Sequence, residues 1–442
     1  MKKISFILLA ITILTSCNPK EKVREELYSQ KAVESLAMKT FLSNKKEEQL
    51  QTAKWDYVPG LVANSVLKAW EQYPEKTEYY DMVKAYADHC LQGQDTIAVG
   101  ESNIDDLAAG KIFFTLYKEE MKKGNEADAA RYKSCATFLR NKLKYNHSRI
   151  AEGKTGAGGF FHKAQYPNQM WLDGLYMGPA LYAEWQANFG KEAGEEDNAG
   201  SWKDIISQFR IIHAQTYDEE KGLNYHAWSA TPQDANSFWA QQSEPNYGCS
   251  AEFWGRGMGW YFAALVDVAE LMPKTDPGYN SLCEIIGEVA AGLARYQDAE
   301  SGCWHQLLQY DGNTAASLDG DTIQGNVFNA CDNANYLESS ASGMFTYAYL
   351  KGIRIGVLDQ AKYEPIARKA YNGLISEFVR IKADGEIDII QSCASAGLGP
   401  AKDLSRTGTV NYYLCGKDVT VTQNEGKAIG PFIMASVEYE RR

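Results

Sequence analysis

Asp173 is the residue whose surroundings first suggest chemistry. It lies among Trp171, Leu172 and Tyr176, where an apolar run with helical spacing begins. Desolvation raises the pKa of a carboxyl group and would keep a proton on it for general acid catalysis. The dipole of a helix start acts in the opposite direction, so the residues alone leave the net pKa shift undecided. The competing interpretation is that Asp173 caps the helix and its aromatic neighbours belong to the core.

Helices must position this residue, because helical periodicity dominates the chain up to about residue 380. The segments are 61–72, 78–91, 106–122, 127–142, 170–189, 202–215, 256–272, 281–297, 338–357 and 362–379. Short runs of β type predict hairpins between helices at 222–228, 303–310, 386–391 and 409–415. No stretch alternates strands and helices as βαβ units do, which argues against a Rossmann or TIM-barrel architecture.

Four of the helices share one design, in which a polar loop leads into a helix of small and aromatic residues. Asp105, Asp173, Gly257 and Ser340 mark these loops, at intervals of about 70–85 residues, which suit a helical hairpin with its loops. Helices that are apolar nearly all round must be buried, so these four would be inner helices whose polar starts converge. The pattern predicts an all-α protein with helix pairs closed into an α/α barrel and short β-hairpins in its loops.

Composition excludes several classes of protein. The 442 residues are 45% hydrophobic and 23% charged, which is ordinary for a globular chain and excludes general disorder or a coiled coil. The net charge of −12 argues against a nucleic-acid partner, which would need a basic face. The cysteines form neither a CxxC pair nor a Cys/His cluster, which argues against a zinc site. No metal or organic cofactor is expected.

The N-terminus is typical of an export signal. Lys2 and Lys3 precede the apolar run 4–14, which is too short to span a bilayer. The letters LTSC at 14–17 resemble a bacterial lipoprotein signal, which implies cleavage before Cys17 and a lipid on that cysteine. An ordinary signal peptide with an incidental cysteine is the alternative.

These features predict a division of the chain into a signal peptide at 1–16, a lipidated Cys17 with a tether and first helix at 17–50, and a single barrel domain at 51–442. We therefore expect an exported lipoprotein in the periplasm or at the outer membrane, held to the membrane through Cys17. Export would allow disulfides among the eight other cysteines. Their scattered positions nevertheless favour buried free thiols.

Six short motifs follow one another along the chain. They read NIDDLAAG (103–110), MWLDGLYM (170–177), GLNYHAW (222–228), WGRGMGW (254–260), ESSASGMF (338–345) and GPF (430–432). In order and spacing they resemble glycoside hydrolase family 105, the unsaturated rhamnogalacturonyl hydrolases, and the related family 88 unsaturated glucuronyl hydrolases. The resemblance covers roughly residues 55–437. One departure is Met258, because the family often has Asn at that position.

The resemblance implies an (α/α)6 barrel that acts on oligosaccharides with a 4,5-unsaturated uronic acid at the non-reducing end. In this reaction C4 is protonated, water adds at C5, and the hemiketal opens and releases the aglycone. No nucleophile attacks the anomeric carbon, so the usual relation between carboxylate separation and stereochemistry does not apply.

The resemblance also implies roles for individual residues. Asp173 would protonate C4 and then serve as the base for water. Asp105 would be a second carboxylate that raises the pKa of Asp173 and stabilises the cation, unless it caps a helix beside Asp106. His226 would lie beside the donor and the substrate. Arg256 would bind the uronate through its planar fork, unless it forms an ion pair between helices.

Four weaker candidates complete the predicted site. Trp171 and Trp260 either stack on sugar rings or pack in the core. His162 and Gln169 would help to position the substrate. The stretch 229–249 either covers the pocket as a long loop or elaborates the surface.

Three functions remain to be separated. The first is removal of an unsaturated galacturonyl unit from rhamnogalacturonan oligosaccharides, with an unsaturated glucuronyl unit from ulvan-like or glycosaminoglycan polymers as the alternative. The second is a polysaccharide lyase or sugar epimerase on a similar barrel, which the motif order disfavours. The third is a non-catalytic glycan-binding lipoprotein, which the presence of both Asp105 and Asp173 disfavours.

Overall fold

The computed structural model describes residues 27–42 and 54–441. Its α-helices are α1 (Tyr28–Ala32), α2 (Tyr57–Gln72), α3 (Thr77–Leu91), α4 (Ile112–Lys123), α5 (Glu126–Asn141), α6 (Leu172–Met177), α7 (Pro179–Phe189), α8 (Glu195–Thr216), α9 (Gly255–Leu271), α10 (Tyr279–Arg295), α11 (Ser339–Arg354), α12 (Gln360–Gly373), α13 (Val410–Cys415) and α14 (Gly426–Glu440). Helix α1 continues as a π-helix, Val33–Leu42, and a 3-10 helix, Ile104–Lys111, leads into α4.

The strands of the described residues form five antiparallel pairs. They are β1 (Gln169–Trp171) with β4 (Ala227–Ser229), β2 (Tyr217–Asp218) with β3 (Leu223–Asn224), β5 (Asp321–Ile323) with β6 (Asn326–Phe328), β7 (Val379–Ile381) with β8 (Ile387–Ile389), and β9 (Ser392–Cys393) with β10 (Val421–Thr422). The register of the first pair places Trp171 opposite Ala227, which brings the stretch before α6 beside His226.

The helices form two concentric layers. The inner layer consists of α2, the 3-10 helix with α4, α6 with α7, α9, α11 and α14, and each packs on the next until α14 closes the ring against α2. Helices α3, α5, α8, α10 and α12 and the segment Tyr28–Leu42 lie outside. This arrangement is an (α/α)6 barrel, as predicted. All four helices with polar starts belong to the inner layer, so that prediction is confirmed.

Local contacts explain where the inner helices begin and how closely they pack. Asp56 accepts a hydrogen bond from the Val58 amide at the start of α2. Glu338 accepts from the amides of Ser340 and Ala341 at the start of α11. A Cβ on Gly259 of α9 would lie 2.8 Å from the sulfur of Met344, so glycine at this position permits the close approach of α9 and α11.

Several secondary-structure predictions need correction. The run 409–415 was predicted to be of β type, but it contains α13, whose first turn is capped by the Thr409 side chain accepting from the Tyr412 amide. The run 303–310 forms isolated bridges rather than a named strand. Helix α14, beyond residue 380, was not predicted. The segment 28–42 packs on α14 and α2, so the barrel domain includes residues before the expected boundary at 51.

The cysteine prediction was wrong for one pair. Cys331 and Cys415 form a disulfide, with Cα atoms 6.0 Å apart across 84 residues of sequence. Sequence spacing could not predict this pair, because only the fold brings the two residues together. The free cysteines among the described residues are Cys90, Cys135, Cys249, Cys283, Cys303 and Cys393. The predicted signal peptide, Cys17 and most of the tether lie outside the described residues. Within residues 27–42 and 54–441, no helix is both long and apolar enough to cross a membrane.

Candidate active site

The starts of the inner helices meet at one end of the barrel and surround a polar pocket, as predicted. Its lining residues are Tyr57, Asp105, His162, Lys163, Tyr166, Trp171, Asp173, Met177, Trp254, Arg256, Trp260, Ser395, Ala396, Gly397, Arg406 and Lys427. Two carboxylates and four cationic side chains therefore share one pocket. The amino ends of the surrounding helices add positive potential, which favours an anionic ligand.

Asp173 faces His226 rather than capping its helix. It occupies the first turn of α6, and the residue before that helix makes no side-chain cap. The Oδ2 atom of Asp173 lies 3.2 Å from Nε2 of His226, whose Nδ1 lies 2.7 Å from the Tyr413 hydroxyl. His226 is fully buried and does not line the pocket. The structure therefore places it behind the donor, in contact with Asp173 but not at the substrate surface that the sequence interpretation assigned to it.

The pKa of Asp173 shifts in the direction opposite to the one that desolvation alone predicts. Burial raises the pKa of this carboxyl, but the charge and hydrogen bonding of His226 outweigh burial and lower it overall. The site without ligand therefore favours the carboxylate form of Asp173. Asp105, predicted to raise the pKa of Asp173, does not reverse this result.

Asp105 is the carboxylate whose pKa is raised. Burial raises it, and the nearby charge of Asp173 adds to the effect, while Lys163 opposes both. Its Oδ2 lies 2.6 Å from Nζ of Lys163, and its Oδ1 lies 3.6 Å from Nε2 of His162. Asp106, by contrast, accepts hydrogen bonds from the Gly100 amide and the Asn103 side chain. The structure thus assigns Asp105 to the pocket and Asp106 to the loop.

Arg256 is nearly inaccessible to solvent, and it is one of the residues that line the pocket. It donates to the Cys393 carbonyl oxygen and lies 4.8 Å from the ring centre of Trp254. Among the described residues, no carboxylate lies within ion-pair distance of it. The alternative that Arg256 forms an ion pair between helices is therefore wrong. A guanidinium without a carboxylate partner can still bind one from a ligand.

The remaining predicted residues differ in their access to the pocket. Trp171 and Trp260 line the pocket, but both side chains are buried. The ring centres of His162 and Trp171 lie 4.4 Å apart, and those of Tyr176 and Trp260 lie 4.7 Å apart. His162 also lines the pocket, and burial lowers its pKa well below the ordinary value, which favours the neutral form of its ring. Sugar stacking by the two tryptophans stays a prediction.

Gln169 does not line the pocket and is fully buried, which corrects its assignment to substrate binding. Its amide donates to the Asn236 carbonyl oxygen and the Ser237 hydroxyl, and it accepts from the indole of Trp171. Gln169 therefore ties Trp171 to the loop 229–249. That loop packs behind the pocket wall, where Trp239 joins the cluster of Tyr166 and Trp171.

Sequence reasoning missed several pocket residues. Lys163 directly follows His162, a predicted site residue, so its position was an available signal. Arg406 and Lys427 come from loops and helix starts far along the chain, and no local pattern marked them. Tyr413, which contacts His226, lies in the run that was predicted as a hairpin. Within the described residues, no group of three or more His, Cys, Asp or Glu side chains could hold a metal ion.

This site can donate and accept protons beside an anion-binding surface. Two buried carboxylates with opposite pKa shifts are typical of acid–base catalysis, and the cations can hold a negatively charged substrate. A helical barrel with an acid–base pair and an anion-binding surface at one end of its inner helices is the architecture of a class of glycosidases.

The chain belongs to Glycosyl Hydrolase Family 88, whose model matches residues 29–319 and 326–442. A solved structure of a family 105 glycoside hydrolase from C. acetobutylicum ATCC 824 is 33% identical, with a TM-score of 0.76, and covers 94% of this chain and 100% of that one. The resemblance inferred from the six motifs is thereby confirmed, and the protein is a glycoside hydrolase.

Two named relatives are more distant. Unsaturated rhamnogalacturonyl hydrolase YesR of Bacillus subtilis is 23% identical over 254 residues, which are 58% of this chain and 64% of that protein. An unsaturated 3S-rhamnoglycuronyl hydrolase of Formosa agariphila is 25% identical over 258 residues, which are 56% of this chain and 57% of that protein.

Proposed function

We propose that this enzyme removes a 4,5-unsaturated uronic acid from the non-reducing end of oligosaccharides left by a polysaccharide lyase, in the first place unsaturated galacturonyl-rhamnose units of rhamnogalacturonan. The observation that carries the proposal is a pocket in which Asp173, backed by His226, shares one surface with Arg256. The name of the Bacillus relative supports the same substrate class.

The reaction requires a proton donor and then a base, and Asp173 serves as both in turn. The carboxylic acid of Asp173 gives its proton to C4, and the C4=C5 electron pair forms the new C–H bond. Positive charge is then shared by C5 and the ring oxygen. Water adds to C5 and gives a proton back to Asp173. The C5–ring oxygen bond of this hemiketal breaks to a ketone, and the hemiacetal at C1 expels the aglycone as an alcohol.

The lowered pKa of Asp173 in the site without ligand is compatible with this acid role. A uronate that binds beside Asp173 brings a negative charge and displaces water, and both effects raise the pKa of a neighbouring carboxyl. Substrate binding would therefore place the proton on Asp173. Asp105, paired with Lys163, would supply the negative charge that stabilises the cation at C5.

The substrate carboxylate is assigned to Arg256. Arg256 lines the pocket and has no carboxylate partner among the described residues, whereas Lys163 is paired with Asp105 and Lys427 with Glu425. Bidentate binding of a carboxylate suits a guanidinium better than an ammonium.

A second substrate is an unsaturated glucuronyl unit on rhamnose, as in ulvan-like polymers, or on a glycosaminoglycan sugar. The observation that favours the former is the name of the Formosa relative, whose identity to this chain is similar to that of YesR.

The test is the decrease in ultraviolet absorbance that accompanies loss of the conjugated double bond. Oligosaccharides from pectin, ulvan and glycosaminoglycan lyases serve as substrates. Asp173→Asn should lower kcat by roughly 10²–10⁴-fold on the active substrate, the usual contribution of a general acid. Asp384→Asn, at an exposed aspartate, is the matched control. Full activity of Asp173→Asn, or no turnover of any substrate, would refute the proposal.

We also propose that the protein is exported and anchored through a lipid on Cys17. The support is the run Met1 to Cys17 with its basic start, short apolar core and terminal cysteine. Palmitate labelling of the full chain in a bacterial host, with Cys17→Ala as the comparison, tests this. Equal labelling of both chains, or none of either, would contradict it.

A further inference from the structure

Tyr413 contacts the edge of the His226 ring opposite the nitrogen that lies near Asp173. Its hydroxyl lies 2.7 Å from Nδ1 of His226, across 187 residues of sequence. Both side chains are fully buried. Among residues 27–42 and 54–441, neither the Tyr413 hydroxyl nor Nδ1 has another hydrogen-bond partner. The two groups therefore depend on each other for a buried hydrogen bond.

Only one arrangement of hydrogens satisfies both groups when the imidazole is neutral. If Nδ1 carried the ring hydrogen, it would donate to the phenol oxygen, and the phenol hydrogen would have no acceptor in the described structure. If the phenol donates to Nδ1, both groups are satisfied and the ring hydrogen stays on Nε2. Buried polar groups strongly favour the satisfied arrangement. Burial also raises the pKa of Tyr413 well above its ordinary value, so the phenol keeps its hydrogen.

We propose that Tyr413 is a positioning residue that fixes His226 as the tautomer with hydrogen on Nε2, and thereby keeps the transferable proton of Asp173 on Oδ1. Nε2 of His226 and Oδ2 of Asp173 are both buried and lie 3.2 Å apart, and neither atom makes another hydrogen bond among the described residues, so Oδ2 is the acceptor available to a hydrogen on Nε2. An oxygen that accepts from Nε2–H is a poor site for a second hydrogen. The acid proton of Asp173 therefore resides on the other oxygen, and the same tautomer also suits the carboxylate form that accepts a proton from water.

Several contacts hold Tyr413 in place. The Trp254 ring lies nearly parallel to the Tyr413 ring, and the Gln306 side chain donates to the Tyr413 carbonyl oxygen at 3.2 Å. Thr409, which caps α13, donates to Asp321 at 2.8 Å. Asp321 belongs to the stretch 320–325 that the family match leaves out. The support for Tyr413 therefore comes partly from residues outside that match.

The first test is nitrogen NMR of the histidine side chains in the ligand-free full chain at mildly alkaline pH. The His226 signals are assigned by comparison with His226→Gln. We expect Nε2 to carry the hydrogen and Nδ1 to be an acceptor. A His226 ring with its hydrogen on Nδ1 would overturn the inference, and this result does not depend on any substrate.

The second test is Tyr413→Phe, which removes the hydroxyl and keeps the ring. We expect a mixture of His226 tautomers and a decrease in kcat of about 10- to 100-fold, the effect of a misplaced reacting group. KM should change by less than about twofold, because Tyr413 does not touch the pocket. Tyr349→Phe is the control, since that buried hydroxyl donates to the Ala290 carbonyl oxygen, far from His226.

A Tyr413→Phe protein with an unchanged tautomer, or with unchanged kcat, would refute the positioning role. The kinetic part of this inference rests on the proposed function, whereas the NMR part does not. If no unsaturated oligosaccharide is turned over, the proposed function fails, and the His226 tautomer still decides the role of Tyr413.

Discussion

Nζ of Lys163 lies 2.6 Å from Oδ2 of Asp105, and this pair occupies the pocket side that also contains His162. The charge of Lys163 lowers the pKa of Asp105, but burial and Asp173 together keep it above the ordinary value. Lys163 therefore limits how far the pKa of Asp105 rises.

Replacing Lys163 by Met should raise the pKa of Asp105 further, because burial would then act without an opposing charge. If Asp105 works as a carboxylate, activity is lost as the pH falls through its pKa. The acid limb of the kcat/KM profile should therefore move to higher pH, by on the order of one pH unit for loss of a close charge. Lys154→Met, at an exposed lysine, is the control. An unmoved acid limb would mean that Asp105 is not required in its charged form.

Replacing Arg256 by Met should weaken substrate binding, since the uronate would lose its buried partner. Loss of one member of a buried charge pair costs about 2–5 kcal/mol, so KM should rise at least about 30-fold. The wild-type enzyme should also prefer the free acid over a methyl ester of the same oligosaccharide. This preference should disappear in the variant. A variant that keeps the preference would show that another cation binds the uronate.

The end of the barrel opposite the pocket contains a buried ion network. Nζ of Lys351 lies 2.7 Å from both Asp267 and Glu270. Burial raises the pKa of Asp267, but Lys351 and neighbouring lysines outweigh burial and lower it to about 2. Because this pKa is depressed, the stabilisation is complete above the unfolded-state pKa and is lost as the pH falls toward 2.

Lys351→Met should therefore lower the free energy of unfolding at neutral pH by about 3–5 kcal/mol, the cost of an uncompensated buried charge. Urea denaturation measures the change, with exposed Lys203→Met as the control. The difference between variant and wild type should shrink as the pH is lowered through the Asp267 range. A difference that is independent of pH would show that Lys351 acts only by packing.

The disulfide between Cys331 and Cys415 closes a loop across 84 residues and joins α13 to the segment after β6. Cys331→Ser should lower the free energy of unfolding by about 2–5 kcal/mol, because the unfolded chain gains freedom. Reducing the wild-type protein should produce a similar loss. Cys283→Ser, at a cysteine that is free in the structure, should change stability little. A wild-type protein insensitive to reduction would contradict the role of this bond.

The class of fold and six of the sixteen residues that line the pocket could be predicted from the sequence. Helices that are apolar all round must be buried, which identified four of the six inner units and the convergence of their polar starts. It also selected Asp105, Asp173 and Arg256, because motif order and residue chemistry are local properties. Helix α14 was missed although its tail motif was recognised, since the prediction of helices stopped near residue 380.

How these residues act on one another depends on contacts that form only in the folded chain. The contacts of His226 with Asp173 and Tyr413 join distant parts of the chain, and no periodicity encodes them. The direction of the Asp173 pKa shift depends on the balance between burial and His226, which requires a distance. Gln169 likewise lies two residues before Trp171, which lines the pocket, yet its amide is used within the fold. Electrostatic and hydrogen-bond energies depend on separation in space, which the order of residues does not specify.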